Sequence, residues 1–363
     1  MVGIILYGSF ELAPYFKKYT KVLDDAGIAY DLIGWRREEK ALYAGENVFM
    51  YEAPPAKRHD SVLHKIRPAL GYRRFIRRRL RAKKYDKLII LTTQTALILA
   101  DVLLTAYRGK YLFDYRDKSY EYIRPYRMLV DTIIKHSIET AISSPWFRES
   151  LTKEKQYLLV HNLQDENLKK VRRCCNKKEP GAPIAAGYVG ALRSYAYHKH
   201  LIDCFANDKR FVFHTYGCGD DCERLARYAA QFPNTFVHGR YDEAEKYDII
   251  ETFDIMCYNY PSSFVNDGAI ANKYYDALIM KKPMFVNPKT RLGGWIAENG
   301  LGVGVDEEET QITDTIYDWY RAMDPAAFSK TCDSCLTQYA RENAAFEEKI
   351  RSVLCAKGER GTR

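Results

Sequence analysis

Short apolar runs alternate with stretches of helical period along almost the whole chain. Val2–Tyr7 is strand-like, and Glu11–Ala26 has a helical pattern closed by Gly27. Ala29–Ile33 and Asn47–Tyr51 read as two more strands. Beyond a long basic segment, the pattern predicts strand at Lys87–Thr92, helix at Ala96–Tyr107, strand at Lys110–Asp114 and helix at Tyr122–His136. Thr140–Ser143 and Lys155–Val160 complete this half as strands. The rhythm then stops. Gln164 to Asn167 is polar, and Arg172 to Pro183 gathers charge, a Gly and two Pro, which marks a linker. It resumes with Ile184–Val189 as strand, helix around Lys199–Ala206, strand from Phe211 and a helix reaching Gln231. A strand from Asn234, a helix over Glu243–Ile250 and a strand at Phe253–Met256 follow. Tyr274–Leu278 is helical and is stopped by Lys281-Lys282-Pro283, ahead of the apolar run Met284–Val286. Gly300–Val305 reads as the last strand, with helices at Gln311–Ala322 and Phe328–Leu354.

Strands alternating with helices of this length predict parallel, doubly wound sheets, so the fold class is α/β with Rossmann-like halves. At 363 residues the chain exceeds what one core organises. The expected division is 1–165, a linker at 166–183, and 184–338, with a final helix over 339–358.

Composition narrows the class. With 47% hydrophobic and 28% charged residues, the chain is that of a globular protein and not of a disordered one. The start, MVGIILYGSF, lacks the basic flank of a signal peptide. Leu88–Tyr107 approaches membrane-spanning length but contains Thr92, Thr93, Gln94, Thr95 and Asp101, which disfavours a lipid-exposed span. Nine cysteines, an odd number, fit reduced thiols in the cytoplasm; the lone Cys332–Cys335 spacing and the Cys174–Cys175 pair lack a zinc pattern, so no metal site is expected. The net charge of +9 is concentrated. Between residues 57 and 87 stand Lys57, Arg58, Lys65, Arg67, Arg73, Arg74, Arg77, Arg78, Arg79, Arg81, Lys83, Lys84 and Lys87, opposed by Asp60 and Asp86 alone. Leu63, Ile66, Leu70, Ile76 and Leu80 interleave at near-helical spacing. This predicts a helix attracted to an anionic membrane surface; a solvated charged face is the plainer alternative, and no nucleic-acid motif accompanies the stripe.

Candidate chemistry collects at the ends of strands. Gly8-Ser9-Phe10 follows the first strand, and a Gly there lets a ligand approach the backbone. Asp114-Tyr115-Arg116-Asp117 ends another; Asp117 is a candidate general base, with a structural Arg116–Asp pair as the alternative. In the second half, Gly190-Ala191-Leu192-Arg193 and Lys199 follow the first strand, and Gly217-Cys218-Gly219 follows the second. Asn234 to Gly239 and Pro261-Ser262-Ser263 come next. The densest stretch is NDGAIANKYYDALIMKKPMFVN, Asn266 to Asn287: a polar loop, Asn272 and Lys273 at a helix start, Asp276 one turn on, then Pro283 and a strand. A helix N-terminus with an added cation suits a phosphate.

In order and spacing these elements, from Gly190 to Val286, resemble the nucleotide-sugar half of GT-B glycosyltransferases, in particular the retaining family-four (group 1) enzymes of bacterial polysaccharide synthesis. The resemblance implies two Rossmann-like domains facing a cleft, with the terminal helix crossing back to the N-terminal domain. It implies donor contacts at Gly8, Gly190, Arg193, Lys199, Gly217, Gly239, Asn272, Lys273 and Asp276. Arg193 and Lys273 would neutralise the leaving diphosphate, and Asp276 would hold the ribose. Asp276 stands where the family usually has Glu, and Gly268 stands where it has the earlier Glu of a Glu-x7-Glu pair. The implied activity is sugar transfer from a nucleotide-diphosphate sugar to a glycan or lipid-linked acceptor in capsule, exopolysaccharide or O-antigen assembly. It would run without metal or cofactor, at the inner face of the plasma membrane. A sugar-nucleotide epimerase of the same fold and a non-catalytic binding subunit remain as alternatives. Neither donor sugar, nucleobase, acceptor nor linkage follows from the sequence.

Overall fold

The computed structural model describes residues 1–36, 43–53, 62–306, 308–309 and 311–356, with side chains from 66 onward in the long basic helix. The start of the basic segment, 57–61, lies outside them. Two compact units are formed, one from Met1–His161 with Arg341–Arg363, the other from Asn162–Ala340.

The first unit runs β1 (Val2–Leu6), α1 (Phe16–Asp25), β2 (Tyr30–Arg36), β3 (Val48–Glu52), α2 (Val62–Ala82), β4 (Lys87–Leu91), α3 (Thr93–Ile98), α4 (Ala100–Leu104), β5 (Tyr111–Tyr115), α5 (Arg124–His136), β6 (Glu139–Ile142) and β7 (Leu158–Leu159). Its seven strands are ordered β3-β2-β1-β4-β5-β6-β7, all parallel. The second unit runs α6 (Asp165–Leu168), β8 (Ile184–Val189), α7 (Tyr195–Phe205), β9 (Phe211–Tyr216), α8 (Cys222–Ala229), β10 (Thr235–Gly239), α9 (Lys246–Glu251), β11 (Ile255–Tyr258), α10 (Asn272–Ile279), β12 (Met284–Val286), α11 (Arg291–Glu298), β13 (Gly302–Gly304) and α12 (Ile312–Ala322). Its six strands, also parallel, are ordered β10-β9-β8-β11-β12-β13. In each sheet the order reverses once, between β1 and β4 and between β8 and β11. Such reversals leave a crevice at the carboxyl ends of the two strands, where open α/β sheets bind ligands.

The last helix, α13 (Pro325–Cys355), is shared. Up to Ala340 it belongs to the second unit, and from Arg341 to the first. Its Phe346, Ile350 and Leu354 are buried in the core built on Tyr19, Val22 and Leu23 of α1. The Lys87 ammonium donates to the carbonyls of Val353, Leu354 and Ala356 at 2.6, 3.2 and 2.9 Å. A cation there satisfies carbonyls that a helix end leaves without partners. The helix thus crosses back as expected.

Three differences from the sequence reading have local causes. The single helix expected at Ala96–Tyr107 is two, broken at Leu99, and it starts earlier because the Thr92 side chain accepts from the Thr95 N–H. Helix α11 escapes the periodicity because Gly293 and Gly294 occupy its middle; Gly293 is required, since a Cβ there would meet the Asn287 carbonyl at 1.9 Å. The linker contains a short helix, α6.

The basic segment is helical, yet part of its charge is turned inward. Arg79 and Lys83 pair with buried Asp31, and Arg73 and Arg77 with Asp101 of α4. Arg67, Arg74, Arg78 and Arg81 stay exposed, on one stripe with Leu70 at helical spacing.

Candidate functional site

The crevice between β8 and β11 is walled by turns that leave no room for side chains. Gly190, directly after β8, has φ +143°, and Gly217, directly after β9, has φ +152°. A Cβ on Gly217 would lie 1.8 Å from the Gly190 carbonyl oxygen, and one on Gly219 would lie 1.9 Å from that of Leu192. Here the glycines are dictated by backbone stacked on backbone. The ladder runs on through these turns: Gly190 N–H donates to Tyr216 O, Leu192 N–H to Cys218 O, and Gly217 N–H to Gly239 O.

Into this crevice α10 delivers Lys273. Its residue is only 8% exposed, and among the described residues its Nζ has no partner in good hydrogen-bond geometry. The ammonium lies 3.5 Å from the centre of the Tyr188 ring and 4.8 Å from that of Tyr260. A Cβ on Gly190 would come to 3.4 Å from Nζ. Two ring faces supply cation–π attraction, but they do not use the three N–H donors of a buried charge. The helix behind it has no side-chain N-cap: Ala271 holds that position, and Asn272 begins the first turn.

A second unsatisfied group shares this strand end. Asn259, immediately after β11, is 1% exposed and its Oδ1 lacks a partner. Its carbonyl accepts from Tyr197 Oη, a phenol packed edge-on to His198, which in turn packs edge-on to Tyr188. Burial, and after it the Lys273 charge, push the His198 pKa down to about 4. The crevice therefore combines one buried cation, one buried amide and a neutral imidazole behind a tyrosine wall. A buried donor and a buried acceptor without partners are costly unless something binds them. Asn259, Tyr188, Tyr260 and His198 were not among the residues expected from sequence. The apolar context of Met256, Cys257 and Tyr258 makes the strand end read as plain core.

The expected residues divide. Arg193 is exposed beside the crevice, close enough to lower the Tyr260 phenol against the stronger effect of burial. Gly190 lies against Lys273, Asn272 precedes it on α10, Gly217 stacks on Gly190, and Gly239, with φ +77°, ends β10. Lys199 is engaged elsewhere in the described contacts. Its ammonium pairs with Asp203 at 2.7 Å and lies 4.4 Å from the Tyr228 ring, so its described contacts lie along α7 and on α8. Six residues from Arg193 places it inside α7, where the i,i+4 carboxylate captures it.

Asp276 also has protein partners. It is buried, and its Oδ1 accepts from Tyr247 Oη at 2.9 Å with the Lys246 ammonium 3.4 Å away, both on α9. Burial raises its pKa, against the opposing pull of Lys246 and Tyr247. One helical turn separates it from Lys273, and the two side chains serve different neighbours. Asp267 likewise accepts from the Arg291 N–H at the start of α11.

In the first sheet, Gly8 follows β1, and its carbonyl accepts from Trp35 N–H at 2.9 Å. Across the reversal, Thr92 at the end of β4 has φ +74°, a rare conformation for a β-branched residue. Thr95 Oγ1 accepts from Tyr7 N–H at 2.8 Å, and Thr93 Oγ1 is buried without a partner. Arg116 pairs with Asp114 at 2.6 Å and lies 4.2 Å from the Tyr15 ring; Asp117 is exposed.

No family profile matches the sequence, and no curated protein is similar to it at the sequence level. Solved structures are similar in fold. Sucrose-phosphate synthase from Thermosynechococcus elongatus superimposes with a TM-score of 0.72 at 12% identity, over 98% of this chain and 99% of that one. Anabaena HepE in complex with UDP-glucose gives 0.64 at 11%, over 97% and 98%. WaaG, a glycosyltransferase involved in lipopolysaccharide biosynthesis, gives 0.62 at 10%, over 98% and 100%.

Proposed function

We propose that this chain, which has the GT-B fold of those neighbours, is a glycosyltransferase that moves a sugar from a nucleotide-diphosphate sugar to a glycan or lipid-linked acceptor. The observation that carries the reading is the partnerless ammonium of Lys273, held in the crevice of the second sheet at the start of α10, beside Gly190. A diphosphate is the ligand it suits. Phosphate oxygens accept from the Lys273 ammonium and from the first N–H groups of α10, and Arg193 adds a second cation. As the glycosidic bond breaks, negative charge builds on the diphosphate, and groups already aimed at it stabilise the transition state. One such cation contributes roughly 100- to 1000-fold. Asn259 Oδ1 is an acceptor, so it suits a hydroxyl of the donor. HepE was solved with UDP and with UDP-glucose, which makes UDP-sugars the first donors to test.

Other roles complete the proposal. Asp276, with Oδ1 already engaged, offers a ribose at most its other oxygen. Asp117 is the acceptor-side base, on the unit that also carries Gly8. Transfer proceeds with retention, as the sequence resemblance implies, and without a divalent ion, the charge of Lys273 and Arg193 serving in its stead. The acceptor is lipid-linked, in cell-surface polysaccharide assembly, with the exposed stripe of α2 against the inner membrane face; the name of WaaG lends that pathway its support. A second reading, a non-catalytic nucleotide-binding subunit, draws on Gly268 in place of Glu and on Asp267 being tied to α11.

The test is binding followed by turnover. UDP should raise the melting temperature of the protein, and Lys273→Ala should abolish the shift. If no nucleoside diphosphate shifts the wild type, the reading is wrong. Binding without sugar release from any donor, with acceptor glycolipid present, leaves the non-catalytic reading. Undiminished turnover in EDTA is expected.

A further inference from the structure

Among the described residues, the large apolar side chains left exposed in the first unit are Leu12, Ile66, Leu70, Tyr120, Tyr122, Ile123, Met128 and Leu129. Leu12 follows β1. Ile66 and Leu70 stand near the start of α2, a helix about 30 Å long whose other end feeds the amino end of β4. The remaining five follow β5 at its carboxyl end. All eight therefore crowd toward one edge of the sheet.

The stretch after β5 is the densest. Tyr122 is 64% exposed, Met128 57% and Tyr120 55%. Tyr120 packs on Tyr122 and Tyr126, with ring centres 6.2 and 5.8 Å apart, so the rings form one outward cluster. The only carboxylate of residues 118–130, Glu121, is turned inward, where it accepts from Tyr115 Oη at 3.0 Å and from the Ser119 N–H. Arg124 and Arg127 are exposed among the apolar groups. Apolar side chains, two tyrosines and exposed arginines are the make-up of a surface that sits in a lipid headgroup layer.

We propose that residues 118–129 dock on a bilayer containing anionic lipid, with Tyr120, Tyr122, Ile123 and Met128 entering the headgroup region and Arg124 and Arg127 meeting lipid phosphates. Continuity with a second cationic surface favours lipid. Arg73 and Arg77 of α2 pair with Asp101 of α4, and α4 packs on α5, so the stripe of Arg67, Arg74, Arg78 and Arg81 lies on the same layer of helices. A second copy of the chain is a poor occupant, because a two-fold contact through this patch sets arginine against arginine. The apolar anchor is thus separate from the helix whose charge alone announces a membrane. The inference adds to the glycosyltransferase reading and does not depend on it.

Full-length protein floated with vesicles of phosphatidylcholine, alone and mixed with phosphatidylglycerol, tests this. The wild type should float with the mixed vesicles only. Combining Tyr122→Ser, Ile123→Ser and Met128→Ser should lower partitioning at least tenfold. Arg124→Glu with Arg127→Glu should do the same, and Arg74→Glu with Arg78→Glu should do less. These positions are exposed, so melting curves should match the wild type, and the UDP-induced shift should persist in each variant. Trp emission of a Tyr122→Trp protein should move to the blue on adding mixed vesicles. Absent flotation of the wild type, unchanged partitioning of the triple variant, or an unmoved Trp emission overturns the proposal. So does a lipid-free monomer–dimer equilibrium that the triple variant abolishes, since the patch would then join two copies. Loss of the UDP shift in every protein, wild type included, would strike the glycosyltransferase reading and leave this one standing.

Discussion

At the scale of single residues, the site is defined by what its groups lack. Lys273 is buried over tyrosine rings with its donors unused, so Lys273→Met should raise the stability of the empty protein by about 1 kcal/mol while removing diphosphate affinity. Denaturant melts and calorimetry measure the two effects, and a destabilised variant would mean that the ammonium has a structural partner. His198 gives a pH signature. Its folded pKa, about 4, lies below the ordinary 6.5, so the unfolded chain binds the extra proton between those values. Stability is full above pH 6.5 and falls as pH drops toward 4, by up to about 3 kcal/mol from this residue. His198→Asn should flatten that part of the stability–pH curve. Because Lys273 is the second cause of the depression, Lys273→Met should also raise the His198 pKa, as read by NMR titration. Lys273, Gly190 and Arg193 were legible from motif spacing. Asn259 and the tyrosine wall were not, since a polar residue ending an apolar strand carries no signal of whether its amide is paired.

At the scale of elements, α10 is held from two sides. Asp276 ties it to α9 through Tyr247 and Lys246, so Asp276→Ala should cost roughly 1–3 kcal/mol by leaving the buried Tyr247 hydroxyl without its acceptor, while Lys246 keeps Glu243. That change loosens the helix presenting Lys273 and lowers nucleotide affinity indirectly; Asp276→Asn, which keeps an acceptor for Tyr247, should lose less of both. If Asp276→Ala melts like the wild type, the link between α9 and α10 is idle. The stacked turns make a sharper case. Gly217→Ala drives a methyl into the Gly190 carbonyl and should cost several kcal/mol, whereas Gly239→Ala, with nothing within 4 Å, meets only the strain of its positive φ. The strands of both sheets were readable because buried parallel strands are unbroken apolar runs. Helix α11 was hidden because the glycines that let it approach the Asn287 carbonyl are the ones that disguise a helix. Spacing alone also gave no sign of the pairing of Lys199 with Asp203, which depends on which face of α7 each residue occupies.

At the scale of the molecule, two sheets of the same handed design each reverse once, and the chemistry collects at those reversals: Lys273 and Asn259 at one, Gly8 and the threonines of β4 at the other. The alternation of strand and helix made this architecture legible, because parallel strands admit few orders once the crossovers share one hand. What stayed hidden was the use of charge. The arginines of α2 look like a single basic face in sequence, yet Arg79 turns inward onto buried Asp31 and Arg73 and Arg77 pair at the surface with Asp101, which no helical wheel displays. Phe346, on the far end of α13, tests the shared helix: Phe346→Ala should cost about 3–5 kcal/mol and should expose the first core to hydrogen exchange before the second.

That shared helix also sets a timetable. The polypeptide made first is missing Phe346, Ile350 and Leu354, which are made only after the whole of 162–340, and that stretch is contiguous. On the ribosome the later half can mature before the earlier one, reversing the usual vectorial order. Until those residues emerge, the nascent amino-terminal sheet waits with an open flank, the interval in which a chaperone would find it.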